Sequence, residues 1–253
     1  MDLASRADAN YYHSWTALAR VMDGGAVFED DGLLVADTGL PVSRLNIAFV
    51  TRPLTNPVEQ MRRAMRFFAE RGSPFVVRIR EGLDPASEAA CEQLGMPYAD
   101  TVPGMASVAM TAPQGPAELG IQRVATPEAL SAFCLVVAEG FELPGDVAAG
   151  LLPPAILLEP EIDLFLGHAE GKPVATATLI RSEGVAGVYM VATLPEYRKR
   201  GFGEALTWHA VAAGAGYGCD MAALQASEMG QPIYERMGFK LVSPYRTFRL
   251  PGV

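Results

Sequence analysis

The chain has 253 residues, of which 50% are hydrophobic and 19% are charged, a composition typical of globular proteins and not of disordered ones. Its formal net charge of −9, without a run of lysine or arginine, argues against nucleic acid as a partner. The length predicts two domains, since a domain usually has roughly 100 to 200 residues.

The first residues, MDLASRADANYYHSW, carry acids and lack the basic start and apolar core of an export signal. No apolar segment reaches the roughly 20 residues of a transmembrane helix, so we expect no membrane partner. The cysteines Cys91, Cys134 and Cys219 are scattered, and none lies near a histidine at metal-ligand spacing. These features predict reduced thiols, a cytoplasmic location and no bound metal.

In the first half, the strand-like run Asn46–Pro53 leads into the helical pattern VEQMRRAMRFFAER. Asn56 can cap this helix, Pro57 fits its first turn, and Glu59 can reach back to the first donors. This pattern predicts a helix that satisfies its own N-terminal N–H groups.

The segment Thr111–Gly120, TAPQGPAELG, concentrates proline and glycine between two apolar stretches and is typical of a linker. It divides the chain into two near-equal halves. The predicted domains are therefore 1–112 and 119–253.

The second half combines strand-like runs with helical patterns. The predicted strands are Ile121–Val124, Asp163–His168, Val174–Arg181, Val188–Thr193 and Met221–Gln225, and the predicted helices are Pro127–Glu139, Gly203–Ala213 and Gln231–Met237. The turn Glu170–Pro173 fits an antiparallel connection, whereas the helical crossover after Thr193 fits a parallel one. We therefore expect an α/β fold of the α+β type, with a mixed, mostly antiparallel sheet flanked by helices.

A weak internal repeat links the two halves. The segment Cys91–Met105 resembles Tyr234–Phe248 in its order of helix end, glycine, apolar residue and final strand. Upstream, NIAFVTRP leads into a helix as VYMVATLP does in the second half. The repeat indicates a duplicated unit.

The segment Arg198–Gly203, RKRGFG, stands between an apolar strand and a helix. Gly201 and Gly203 let the backbone approach an anion closely, and the helix that follows directs its free N–H groups to the same place. Cations are adjacent and a capping residue is missing, in contrast to the helix at Asn56. This pattern predicts a pyrophosphate site in the second half alone.

The motif R-x-x-G-x-G at Arg198–Gly203 resembles the acetyl-CoA loop of the GCN5-related N-acetyltransferases, the GNAT family. A second element, Y-x-x-x-G-F at Tyr234–Phe239, is similar to the end of a helix in that family. The resemblance covers roughly residues 120 to 250, and the first half resembles a degenerate copy without the acetyl-CoA loop. It implies two GNAT-like units in tandem.

The resemblance also implies roles for individual residues. The pantetheine of acetyl-CoA, the cosubstrate, would pair with the strand at Val191, Ala192 and Thr193. The pyrophosphate would lie on the main-chain amides of Arg198, Lys199, Arg200, Gly201, Phe202 and Gly203. Ser227 stands where relatives often have an asparagine that contacts the CoA arm, although serine is shorter. Tyr234 matches the tyrosine that commonly protonates the departing thiolate.

The implied activity is acetyl transfer to a primary amine of a small molecule or peptide by direct attack. The base that receives the amine proton remains open among Glu142, Asp163, Glu183 and a chain of water molecules. The segment Glu139–Asp146 fits either an acceptor-binding loop for a cationic amine or a soluble surface. A non-catalytic CoA-binding sensor or interaction module is the alternative, and the oligomeric state is left open.

Overall fold

The computed structural model describes residues 2–111, 115–148 and 150–252, so residues 112–114 of the predicted linker lie outside the described part. The helices are α1 (Leu3–Val21), α2 (Pro57–Arg71), α3 (Pro85–Gln93), α4 (Pro127–Gly140), α5 (Gly145–Ala148), α6 (Phe202–Gly216) and α7 (Gln231–Arg236). The strands are β1 (Ala26–Asp30), β2 (Leu33–Asp37), β3 (Asn46–Val50), β4 (Val76–Arg80), β5 (Tyr98–Ser107), β6 (Gly120–Arg123), β7 (Ile162–Ala169), β8 (Lys172–Ser182), β9 (Val185–Thr193), β10 (Met221–Gln225) and β11 (Lys240–Phe248).

The chain forms two compact units. The N-terminal unit contains Trp15–Gly104 and Ser243–Val253, and the C-terminal unit contains Met1–Ser14 and Met105–Val242. The short segment before Trp15 falls within the predicted domain 1–112, yet its residues pack in the C-terminal unit. The predicted domain boundaries at 112 and 119 stay a prediction. They rest on the sequence alone, whereas the compact units are defined by packing.

The N-terminal unit has the strand order β1-β2-β3-β4-β11. Strand β3 runs parallel to β4, while β1, β2 and β11 pair antiparallel with their neighbours. Helix α2 buries Met61, Ala64 and Phe68, which recur at the spacing of one helix face. These side chains share one core with Val77 and Ile79 of β4.

The N-terminus of α2 differs from its prediction in two respects, the cap at Asn56 and the role of Glu59. Pro57 occupies the first turn as expected, but the Asn56 side chain makes no capping hydrogen bond. The Asn56 N–H instead donates to the Gln60 side-chain oxygen at 3.1 Å, and Glu59 accepts a hydrogen bond from Arg66. Gln60 is buried, so its amide faces this donor whereas the exposed Glu59 faces solvent.

The C-terminal unit contains the strand order β10-β9-β8-β7-β6. Strands β6 to β9 pair antiparallel, and β10 joins β9 in parallel through the α6 crossover. Helices α4 and α6 both pack against β8 and β9. The largest core cluster joins Leu206 and Val211 of α6 to Ala177 and Leu179 of β8.

The predicted mixed α/β fold is confirmed. Each predicted strand and helix of the second half is present, and the largest shift at a strand start is in β9, which begins at Val185 and not at Val188. Glu170 and Gly171 form the expected turn between β7 and β8, with φ values of 56° and 76°. The order β3–α2–β4, with parallel strands, recurs as β9–α6–β10.

A buried asparagine near the N-terminus joins α1 to the hairpin of β8 and β9. The Asn10 Nδ2 donates to the Ile180 carbonyl at 3.1 Å and to the Ser182 hydroxyl at 2.8 Å. Its Oδ1 accepts a hydrogen bond from the Tyr189 hydroxyl at 2.7 Å. Because each of these groups is partnered, the fully buried amide stabilises the unit instead of opposing its folding.

We expect Asn10→Ala to lower the free energy of unfolding by about 2 to 4 kcal/mol, because it removes the buried hydrogen bonds to the Ile180 carbonyl, the Ser182 hydroxyl and the Tyr189 hydroxyl. Urea denaturation followed by circular dichroism measures this change. Arg20→Ala, at an exposed position on the same helix, serves as the control and should change stability by less than about 0.5 kcal/mol. Equal stability of the two variants would contradict the assignment of Asn10 as an anchor.

Candidate functional site

The candidate site begins where two parallel strands separate. Strand β9 pairs with β10 only from Val185 to Gly187, opposite Met221–Ala223. Beyond Gly187, the edge of β9 that faces β10 has no strand partner within the described part of the chain. In the N-terminal unit, β3 stays paired with β4 up to its last residue, Val50. An opening between parallel strands therefore distinguishes the C-terminal unit.

A β-bulge lies beside this opening. Thr178 pairs with Tyr189 and Thr176 with Ala192, so two residues of β9 face one residue of β8. The bulged residue Met190 has a left-handed φ of 48°. Its carbonyl accepts a hydrogen bond from the buried Thr176 hydroxyl at 2.8 Å. The bulge changes the direction of β9 at the end where the partner strand is lost.

Helix α6 begins next to the same strand end. Its N-cap, Gly201, has a φ of 77° and offers no side chain for capping. The first helical hydrogen bond runs from the Ala205 N–H to the Gly201 carbonyl at 3.0 Å, so the preceding N–H groups have no helical acceptor. A Cβ on Gly203 would lie 3.5 Å from the Thr193 Oγ1 and 3.7 Å from the Val191 Cγ1. The start of α6 and the end of β9 are therefore in contact.

The arginine side chains of the motif bind oxygen atoms of the protein. The Arg198 guanidinium donates to main-chain carbonyls, and the Arg200 guanidinium binds the carboxylates of Glu118 and Glu170 at 3.1 Å. The Arg200 guanidinium also lies 4.8 Å from the Phe202 ring centre. Protein oxygens therefore bind both arginine side chains, and their predicted contact with an anion stays a prediction.

The main chain of the motif contains two residues with positive φ. Lys199 and Gly201 both have left-handed backbone conformations, with φ values of 63° and 77°. Such alternation near a helix start turns successive N–H groups toward one side. The Phe202 side chain is buried, so this residue contributes its main-chain N–H and not its ring to the surface.

Tyr234 lies on α7 and packs against the core of the C-terminal unit. Burial raises the pKa of Tyr234, and a hydrogen bond with the Thr207 hydroxyl partly opposes this rise. Thr207 lies on α6, and its hydroxyl donates to the Gly203 carbonyl at 2.9 Å. The phenol is therefore protonated at neutral pH and is connected through Thr207 to the first turn of α6.

Gly238 and Phe239, which follow Tyr234 in the motif, end helix α7. Gly238 has a φ of 90°, which glycine adopts without strain. The Phe239 N–H donates to the Tyr234 carbonyl, and the two rings meet edge to face at 5.9 Å. The Y-x-x-x-G-F pattern thus ends α7 and fixes the tyrosine ring.

Ser227 occupies the turn between β10 and α7. Its hydroxyl oxygen accepts a hydrogen bond from the Gly230 N–H at 3.1 Å, and its carbonyl accepts one from the Gln231 N–H at 2.9 Å. The side chain therefore shapes the turn that leads to Tyr234. Its predicted contact with the CoA arm stays a prediction.

The three carboxylates considered as bases have different environments. Asp163 is buried and ion-paired with Arg123 and Arg181. Glu183 lies in the turn before β9, about 25 Å along the strand from Val191. Glu142 is exposed and lies two residues after the end of α4. The side chain of Asp146 lies outside the described part of the chain.

Helix α4 approaches β9 closely just before Glu142. A Cβ on Gly140 would lie only 2.8 Å from the Ala192 Cβ. Glu142 therefore lies two residues after Gly140, which is in contact with the end of β9, whereas Asp163 is held in two ion pairs and Glu183 is remote.

Two threonines near the site were not predicted from the sequence. Thr176 holds the bulge carbonyl, and Thr207 connects Gly203 to Tyr234. A threonine inside a helix commonly bonds to the carbonyl four residues earlier, which would have predicted the Thr207–Gly203 bond. Its contact with Tyr234 depends on how α6 packs against α7.

Within residues 2–111, 115–148 and 150–252, no three His, Cys, Asp or Glu side chains are grouped so that they could hold a metal ion. None of the helices in these ranges combines the length and the apolar character needed to cross a membrane.

The site lies within a recognisable family domain. Residues 160–241 match the family model described as "Acetyltransferase (GNAT) domain". This range starts just before β7 and includes the opening, the bulge, α6 and Tyr234. The match confirms the resemblance drawn from Arg198–Gly203 and Tyr234–Phe239. No curated protein matches the chain at a significant level.

Solved structures resemble the whole chain in fold. A GCN5-related N-acetyltransferase from Kribbella flavida has a TM-score of 0.77 and 21% identity, over 100% of this chain and 97% of that one. A GCN5-related N-acetyltransferase from Sphaerobacter thermophilus has a TM-score of 0.66 and 17% identity, covering 88% and 78%. A tandem GNAT protein from the clavulanic acid biosynthesis pathway has a TM-score of 0.58 and 14% identity, covering 96% and 94%. At these identities the likeness concerns the fold.

We expect Tyr234 to ionise above the ordinary tyrosine pKa of about 10, because burial disfavours the phenolate. Its raised pKa favours the folded state below pH 10, and this contribution is lost as the pH rises through the folded-state value. The ultraviolet titration curve of Tyr234→Phe, subtracted from that of the wild type, gives the midpoint for Tyr234. Thr207→Val should raise this midpoint further, since it removes the opposing hydrogen bond.

Tyr217→Phe controls for the loss of one exposed tyrosine. A difference curve for Tyr234 with a midpoint at or below pH 10 would refute the assignment of a buried, protonated phenol.

Proposed function

The chain carries a GNAT acetyltransferase domain over residues 160–241, and we propose that this domain transfers the acetyl group of acetyl-CoA to a primary amine by direct attack. The observation that carries the proposal is the opening between β9 and β10 beside the uncapped start of α6. When bound there, acetyl-CoA supplies an activated acetyl thioester. The protein must hold this group, orient it and supply a proton.

The free edge of β9 suits the amide-containing arm of the cosubstrate. An extended chain can pair with an exposed strand edge through main-chain hydrogen bonds. We assign this role to Val191, Ala192 and Thr193, which follow the bulge at Met190. A main-chain N–H at Val191 could also polarise the acetyl carbonyl.

The pyrophosphate is assigned to the main-chain amides of Arg198–Gly203. The open N–H groups at the start of α6 and the left-handed residues Lys199 and Gly201 support this assignment. Hydrogen bonds from N–H groups to an anion are stronger than those between neutral groups. The proposed pyrophosphate site therefore does not require the charges of the arginine side chains.

Tyr234 is our candidate for the general acid. Its raised pKa keeps a proton on the phenol oxygen at neutral pH, and a departing thiolate is a suitable acceptor for that proton. Its partner Thr207 lies on α6, the helix whose start is the proposed position of the cosubstrate.

The acceptor is proposed to be a cationic amine, carried by a small molecule or a peptide. The exposed Glu139 and Glu142 lie at the end of α4, where this helix meets the end of β9. Their negative charge would attract such an amine. Glu142 is also the best placed of the three carboxylates to receive the amine proton, directly or through water.

A cytoplasmic location is proposed from the cysteines. Cys91, Cys134 and Cys219 are free and buried in the structure. Burial raises the pKa of Cys91 to about 12 and that of Cys134 to about 11. Thiols protonated to this degree are poor nucleophiles, as suits a protein that keeps them reduced.

The purified protein should bind acetyl-CoA in calorimetry and release CoA thiol with at least one member of a panel of primary amines. We expect Tyr234→Phe to bind CoA normally and to lower kcat by about ten-fold or more, because phenylalanine has no proton to donate. Tyr217→Phe, at an exposed position on the same unit, is the matched control. Binding without acetylation of any amine would favour the CoA-sensor alternative, and absence of binding would refute both.

We expect Gly203→Val to weaken CoA binding by about ten-fold or more, because the larger side chain extends toward Thr193 and Val191 over the open N–H groups. Gly203→Ala is the control, since a Cβ alone makes ordinary contacts there, and its affinity should change by less than about three-fold. Equal binding by both variants would place the cosubstrate elsewhere.

A further inference from the structure

Arg198, the first residue of the R-x-x-G-x-G motif, binds two main-chain carbonyls. Its Nε donates to the Thr193 carbonyl at 3.2 Å, and its Nη2 donates to the Gly140 carbonyl at 3.1 Å. Thr193 is the last residue of β9, and Gly140 is the last residue of α4. One planar guanidinium therefore connects the end of β9 to the end of α4, which precedes the segment Phe141–Ala148.

The bond to Gly140 completes the C-terminus of α4. A helix leaves its last four carbonyls without helical partners. At the end of α4, three of these accept hydrogen bonds from the turn that follows, in the pairs Phe141 with Val137, Leu143 with Ala138, and Glu142 with Glu139. The fourth carbonyl, that of Gly140, accepts from Arg198. The positive charge at this end also interacts favourably with the helix dipole.

Packing at the same point is independent of this hydrogen bond. A Cβ on Gly140 would lie 2.8 Å from the Ala192 Cβ and 3.6 Å from the Thr193 nitrogen. Only a residue without a side chain allows α4 to approach β9 so closely. The position of the segment Phe141–Ala148 relative to β9 is therefore fixed at its start by a close contact and a charged hydrogen bond.

We propose that the Arg198 side chain is a positioning group that sets the acceptor side of the active site, and that its guanidinium is not a ligand of the cosubstrate phosphates. This inference rests on the proposed function, in which β9 and α6 hold the donor and Phe141–Ala148 borders the amine. Direct attack requires donor and acceptor at a fixed separation, and small displacements are costly. By holding Thr193 and Gly140 together, Arg198 maintains this separation.

The test compares Arg198→Gln and Arg198→Lys with Arg66→Gln, which removes an exposed arginine paired with Glu59 in the N-terminal unit. We expect Arg198→Gln to change the Kd of CoA by less than about three-fold but to raise the KM of the amine by about five-fold or more, the size expected for a lost charged hydrogen bond. Lysine keeps the charge but not the paired geometry, so Arg198→Lys should lie between wild type and glutamine. Arg66→Gln should match the wild type.

Hydrogen exchange supplies a readout that does not require turnover. Amides of Phe141, Glu142 and Leu143 should exchange faster in Arg198→Gln, because the end of α4 is loosened, while those of α6 stay unchanged. If no amine is acetylated, the proposed function fails, and the exchange result still decides the positioning role. If Arg198→Gln does not fold, Arg198→Lys decides it alone.

The proposal would be overturned if Arg198→Gln, or Arg198→Lys in its place, weakened CoA binding by about ten-fold and left exchange at residues 141–143 unchanged. If the Kd of CoA for that variant also depended less on salt than the wild-type Kd, the Arg198 side chain would be a phosphate ligand.

Discussion

The loss of pairing between β9 and β10 after Gly187 is the constraint on which the candidate site depends. Main-chain N–H and C=O groups without partners are costly when they are buried, so a strand edge left open inside a sheet must be reached by water or by a ligand. The bulge at Met190, held by the Thr176 hydroxyl, turns this edge where the opening begins. The start of α6 then lies against the same strand end.

The N-terminal unit shows what happens without this constraint. It repeats the order of two parallel strands joined by a helix, yet β3 and β4 remain paired to the end of β3. A proline begins its helix α2, and the buried Gln60 satisfies the Asn56 N–H. Strand β3 therefore has no open edge toward β4, and this is the difference from β9.

The two arginine side chains of the motif are bound by protein oxygens in the structure. Three consecutive basic residues suggest direct attraction of phosphate, but the arginines on either side of Lys199 bind protein oxygens. The anion would instead be bound by main-chain N–H groups oriented by Lys199 and Gly201. Such donors need no rearrangement when the ligand arrives, because the backbone already holds them in place.

The amino-acid sequence alone determined the secondary-structure elements of the second half and the family resemblance. Periodicity of apolar residues, the turn at Glu170–Gly171 and the glycine pair at Gly201 and Gly203 are local properties, so a linear pattern carries them. The family match later confirmed the resemblance that rested on the two motifs. The side chain of Asn56 was the local exception, since Gln60 reached its main-chain donor instead.

The tertiary structure alone decided which polar groups meet. Arg198 reaches a carbonyl 58 residues away, Arg200 a carboxylate 82 residues away, and Asn10 a hydroxyl 172 residues away. The contact of Thr207 with Tyr234 likewise depends on the packing of α6 against α7. Such pairs follow from strand register and helix packing. No local sequence pattern encodes these, because the free energy that selects the register and the packing comes from burial over the whole unit.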